Sequence, residues 1–251
     1  MTGLPDQAGR PGTAGDLILL AIDTAGSACS AALTRGGSVV AAESRQMRHG
    51  HGEALLPMID RVTAAAGVPP ARLDAVAAAT GPGGFTGIRV GLAAAHGIAL
   101  ATGARLIGIA SFVAVASLMG EAGGGACLVA LDSRREDLYV QLFARSDGRP
   151  LAEPAAVLPA GLADYLLAAK LPPDTPLLIA GDAAAAAAAA LEGWNGVTMA
   201  PGSAPDALGV AVAALRILRE GAVTAPARPL YLRPPDVTLP PPRAPAAAAV
   251  P

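Results

Sequence analysis

Two stretches of this 251-residue chain hold the residue types that phosphate or metal chemistry needs. The first is Asp23-Thr24-Ala25-Gly26-Ser27, which follows the apolar run 17–22. A carboxylate at a strand end can order a metal or water, and the free amides of such a turn can cradle phosphate. A polar turn that merely closes a buried strand has the same composition, so both roles stay open. The second is TGPGGFTGIRVG, residues 80–91, where Gly81, Pro82, Gly83, Gly84 and Gly87 stand between a strand and a helix. A helix N-terminus favours anions, yet glycines equally permit close backbone approach. The spacing is not that of a Walker loop, which ends in Gly-Lys-Ser/Thr, nor of the dinucleotide GxGxxG. The candidate phosphate-loop residues are Asp23, Thr24, Gly81, Gly83 and Gly84.

Other reactive side chains are sparse. His49, His51 and Glu53 could form a metal trio only if their loop were extended, and a solvated loop-to-helix junction fits them better. His96 falls mid-helix. No HExxH motif occurs, and no Ser-His-Asp set can be assembled. Cys29 and Cys127 lie in apolar runs and read as small buried hydrophobes. The mixed-sign cluster Arg134-Arg135-Glu136-Asp137 reads as a solvated hairpin turn. We assign no catalytic residue and no metal ligand.

The elements that position these stretches follow from hydrophobic periodicity. Strand 17–22 leads into a hairpin, 28–34 and 38–44, about Arg35-Gly36-Gly37. A helix over 53–66 places Leu55, Met58, Ile59 and Val62 on one face, with Pro57 in its first turn. Leu56 and Ala64 lie off that stripe, so the helix has two apolar faces and needs two partners. Strand 73–79, a helix over 88–101 and strand 105–109 follow, with Ser111 as cap of a short helix. Strands 127–132 and 138–144 then repeat the opening pattern, the first again ending in aspartate, Asp132. Helix 160–169, strand 177–180, helix 183–191 and helix 206–219 complete the reading. The repeated strand-to-aspartate opening predicts two similar lobes: 16–109, then a smaller 110–233 whose helix 206–219 returns to the first. Residues 1–15 and the Pro/Ala-rich 234–251 carry no periodic pattern and read as a disordered leader and tail.

Composition narrows the class. A net charge of −2 offers no global basic field for nucleic acid. Apolar runs fall short of the ~18 residues of a membrane span, and residues 1–15 lack a signal-peptide pattern, which predicts a cytoplasmic protein.

The stretches LLAIDTAGSACSAAL, HGEALLPMIDRVTAAAG, ATGPGGFTGIRVGLAAAHGIAL and LVALDSRREDLYVQLF occur in the order seen in TsaB (YeaZ-type) proteins. The chain resembles that family over residues 17–143, most specifically in the GPGGFTGIRVG loop and its helix. The resemblance implies an α/β fold of two ribonuclease-H-like lobes of the actin/Hsp70/sugar-kinase superfamily, the second reduced. It implies a non-catalytic dimerisation or partner subunit of the complex that forms N6-threonylcarbamoyladenosine in tRNAs reading codons that begin with A. That subunit supports a TsaD-type transferase, beside a TsaE-type ATPase, and meets tRNA only through the complex. It needs no cofactor of its own, since ATP, ADP and magnesium belong to the partner subunits or to an interface shared with them. The paralogous transferase binds metal partly through two helical histidines. The matching stretch here, LIGIASFVAVASL, has none, so that site is not carried over.

The family's pairing, with TsaD or with a second copy, runs through two N-lobe helices, here 53–66 and 88–101. The interface residues expected on them are Leu55, Leu56, Ile59, Gly91, Ala95 and Ile98, the small ones admitting a close helix. His96 departs from the family, which carries a lysine there. The competing reading is a small ATPase or sugar kinase of the same superfamily using Asp23 and Asp132, against which the short second lobe argues.

Overall fold

The computed structural model describes residues 16–120, 124–200, 202–221 and 226–233. The proposed leader and tail lie outside the described residues. Among the described residues, ten strands form two five-stranded sheets of the same connectivity.

In the first sheet β1 (Ile18–Asp23), β2 (Ala28–Arg35) and β3 (Ser38–Gln46) form an antiparallel meander. The turn between β2 and β3 contains Gly36 and Gly37, both at positive φ as a tight hairpin requires. On the other edge β4 (Ala75–Gly81) and β5 (Arg105–Ala110) pair in parallel. Every residue of β1 and β4 is buried, because helices cover both faces of these central strands. On one face lie α1 (His51–Ala65), against β2 and β3, and α2 (Phe85–Thr102), against β4. On the other lies α6 (Ala207–Glu220), capped by Asp206, whose Oδ1 accepts from Gly209 N at 3.0 Å. Val210, Ala214 and Leu215 of α6 join the same core as Leu20, Ile22 and Val76.

The second lobe repeats the order with shorter parts. It comprises β6 (Ala126–Asp132), β7 (Leu138–Ala144), β8 (Ala155–Val157), α4 (Leu162–Ala168), β9 (Leu177–Ala180), α5 (Ala184–Ala190) and β10 (Val197–Met199). Its lesser size is measurable in β8 and β10, three residues each, and in α4 and α5, seven each. Alternation along β6 divides the core: Ala126, Leu128 and Ala130 face α4 and α5, while Cys127, Val129 and Leu131 face Phe112 and Val115. Those two residues belong to α3 (Ser111–Leu118), whose Ala114 packs in the first lobe's core. α3 thus joins the lobes. α6 crosses it closely at Gly209, where a Cβ would stand 2.5 Å from Ala114 O.

Several expected boundaries move. α1 starts two residues early, so Pro57 lies inside the helix rather than in its first turn. Both Pro57 and Glu53 are solvent-facing, so the Glu53 carbonyl left without a helical donor meets water. α2 begins at Phe85, since the glycine loop is shorter than its composition suggests. Ser111 is the first residue of α3 and not its cap, and its buried Oγ has no hydrogen-bond partner among the described residues. The edge strands β8 and β10 were not expected, being too short to show a period. By length and composition α2 could span a membrane, contrary to the run-length expectation, yet Ile88, Leu92 and Ala95 are built into the first core.

Candidate functional site

The two strand-ending aspartates, Asp23 and Asp132, close the C-terminal ends of β1 and β6 at matching places in the two sheets. Their surroundings differ. Asp23 is buried, 2% exposed, and Asp132 is exposed. Asp23 Oδ1 accepts from Ala25 N at 2.8 Å, while its Oδ2 is buried with no partner among the described residues. Burial, then the Asp206 and Asp182 charges, raise its pKa to about 7 against the Ala25 hydrogen bond. Burial also raises the pKa of Asp182, whose Oδ1 accepts from Asp132 N at 2.9 Å. Asp182 and Asp206 complete an acidic cleft that the sequence reading missed. Each closes a recognisable signal, a GD pair after a strand and a helix cap after Pro205, but neither signal tells which aspartate it will meet.

The glycine loop packs on the DTAGS turn. Gly84 N donates to Ala25 O at 2.7 Å, and Thr24 Oγ1 donates to Gly87 O at 2.7 Å. A Cβ on Gly83 or Gly87 would collide with the carbonyls of Ala25 and Thr24, and one on Gly91 with the Thr24 hydroxyl. These glycines permit a loop and a helix to lie directly on the turn. Three of the loop amides are engaged within the chain: Ala25 N by Asp23 Oδ1, Gly84 N by Ala25 O, and Arg134 N by Asp132 Oδ1 at 2.7 Å. Arg134 Nη2 then reaches across to Gly26 O at 3.3 Å, bridging the turns of the two lobes.

The charged turn after β6 is more than a solvated loop. Ser133 Oγ lies 2.6 Å from both Asp137 O and Oδ1, and Arg233 pairs with the buried Asp137. His49 and Glu53 are exposed while His51 is buried, its pKa lowered by burial and then by Arg134 and His49. Among the described residues no group of three or more His, Cys, Asp or Glu is placed to hold a metal ion. Both cysteines are free and buried, and burial lifts Cys127 to about 12. His96 Nε2 lies 3.1 Å from Ala227 O.

The expected interface set does not form one surface. Leu55, Ile59, Gly91 and Ala95 are buried in the lobe's own core, Ala95 completely. Gly91 approaches Thr24 and Ile22 rather than a foreign helix. Ile98 is half-buried, and only Leu56, 53% exposed, faces solvent. The outward side of these helices instead presents Leu100, 87% exposed, and Gly97, whose missing side chain faces open space.

Comparison with known proteins agrees with this architecture. The family model of TsaD, tRNA N6-adenosine threonylcarbamoyltransferase, matches residues 40–235. The chain is 34% identical over 130 residues to the tRNA threonylcarbamoyladenosine biosynthesis protein TsaB of Escherichia coli, 51% of this chain and 56% of that protein. The chain therefore spans about half the length of the curated relatives it matches first. A crystal structure of a Pseudomonas aeruginosa protein similar to the peptidase YeaZ superposes with a TM-score of 0.69 at 26% identity, covering 86% of this chain and all of that one. The hexokinase of Thermus thermophilus, at 15% identity and TM-score 0.51 over 82% of this chain and all of its own, shares the fold alone. With the family model matched over more than half its length, the chain belongs to the TsaD threonylcarbamoyltransferase family, as a TsaB/YeaZ-type member with two sugar-kinase-like lobes.

Proposed function

We propose that this chain is a non-catalytic subunit of the cytoplasmic machinery that forms N6-threonylcarbamoyladenosine in tRNA. The observation that carries the reading is that one amide of each lobe's turn, Ala25 N and Arg134 N, is hydrogen-bonded to the chain's own aspartate, with Gly84 N bonded to Ala25 O. These bonds hold the loops together, and the three amides they engage are not available to a phosphate. Its service is then to bind a TsaD-type transferase, with a TsaE-type ATPase and a second copy of the chain as further members of the assembly. ATP, ADP and magnesium are handled by the partners or at a shared interface, and tRNA is met through the complex.

Support for the docking face comes from α1 and α2, which expose Leu56 and Leu100, with the open Gly97 three residues before Leu100. Exposed aliphatic groups and an open small residue suit close helix packing. Co-purification with the cognate TsaD-type protein tests this. A stable complex is expected, and failure to associate at micromolar concentration would refute the proposal.

A further inference from the structure

About three helical turns along α6 from the acidic cleft, a pocket of about 470 Å³ opens between the C-terminal ends of α3 and α6 and the open ends of β6 and β7. Its polar lining is strongly one-signed. Arg145, Arg216 and Arg219 all line it, and Glu220 is the one carboxylate among its lining residues. Glu220 sits 3.9 Å from Arg216 Nε, and Arg216 Nη1 makes a long contact, 3.5 Å, to Asp147 O. This density of guanidinium groups stands out in a chain whose net charge is −2.

Two of these arginines have an ordinary explanation, since cations in the last turn of a helix offset its dipole. Arg145 does not. It follows β7, and its Nε is buried with no acceptor among the described residues. A buried charged donor left unmet is costly and is a rare feature of native structures. Phe143, Cys127 and Val212 give the same pocket an apolar part of its lining. The volume falls in the range of small-molecule sites. Several guanidinium forks and apolar side chains lining one pocket match a phosphate carried on an apolar body better than a lone carboxylate, because each fork can take two phosphate oxygens.

We propose that this rear pocket binds a small phosphate ester, its phosphate held by Arg145, Arg216 and Arg219 and its body resting on Phe143 and Val212. The site is separate from the docking face of α1 and α2, so it stands whether or not the subunit reading holds. Titration calorimetry on the full chain with phenyl phosphate tests it, with inorganic phosphate and benzyl alcohol as its two halves. Saturable binding of phenyl phosphate is expected, tighter than either half, and weakened about tenfold or more in Arg145→Gln and in the solvent-facing Arg219→Gln. Arg219→Gln keeps the test valid should Arg145→Gln unfold, as thermal melting of each variant will show. Non-saturable binding, equal affinity in the folded variants, or inorganic phosphate binding as tightly as the ester would each overturn the proposal. So would binding that survives Arg219→Gln and is lost in Asp23→Asn, which would move the ligand to the front cleft.

Discussion

At Asp23 the unfolded chain gives up its proton near the ordinary carboxylate value of 3.8, whereas the folded chain keeps it to about pH 7. A folded-state pKa raised in this way means that the native state binds more protons, so stability falls as pH rises from about 4 to about 7 and stays low above it. Asp23→Asn removes the charge and retains an acceptor for Ala25 N. We predict that it raises the melting temperature at about pH 8, by up to roughly 4 kcal/mol of unfolding free energy, with little gain at about pH 4. Melting curves of the two proteins across that window check this; a gain independent of pH would contradict it. The aspartate itself was legible as a strand-ending residue. Its burial was not, because α6 with Asp206 and the second lobe with Asp182 arrive from distant parts of the chain.

The helices α1 and α2 show what periodicity reveals and what it hides. Leu55, Met58, Ile59 and Val62 do form a buried stripe, and Leu56 lies off it, facing solvent. Periodicity does not say which side meets the chain's own sheet. The small residues Gly91 and Ala95 suggest an opening for a partner helix, whereas the close neighbour of Gly91 is Thr24 in the first turn. Ala95→Leu therefore overpacks a fully buried site, and the isolated chain should lose about 1–3 kcal/mol of stability, measurable by chemical denaturation. An unchanged denaturation midpoint would show that this face is free after all. Leu56→Asp and Leu100→Asp should behave oppositely. Both side chains are solvent-facing, so unfolding should shift by no more than about 0.5 kcal/mol, while affinity for the TsaD-type partner falls by about tenfold or more. Equilibrium binding with these variants decides whether the outward side is the docking face.

The whole molecule repeats one topology twice, and the repeat was visible in the sequence as two strands that end in aspartate and run into a hairpin. The edge strands β8 and β10 left no such trace, since three residues cannot display alternation against noise. Nor could the sequence show that Ala25 N and Arg134 N in the two equivalent turns donate to Asp23 and Asp132, or that Arg134 ties one turn to the other. Those contacts make the cleft a joint between lobes, and they carry the non-catalytic reading. The most direct measurement is threonylcarbamoyladenosine formation on tRNA by the reconstituted set of subunits, run complete, without this chain, and with this chain alone. The account predicts product only from the complete set, and undiminished product when this chain carries Asp23→Asn. Product from this chain alone, or loss of product on Asp23→Asn with assembly intact, would contradict it.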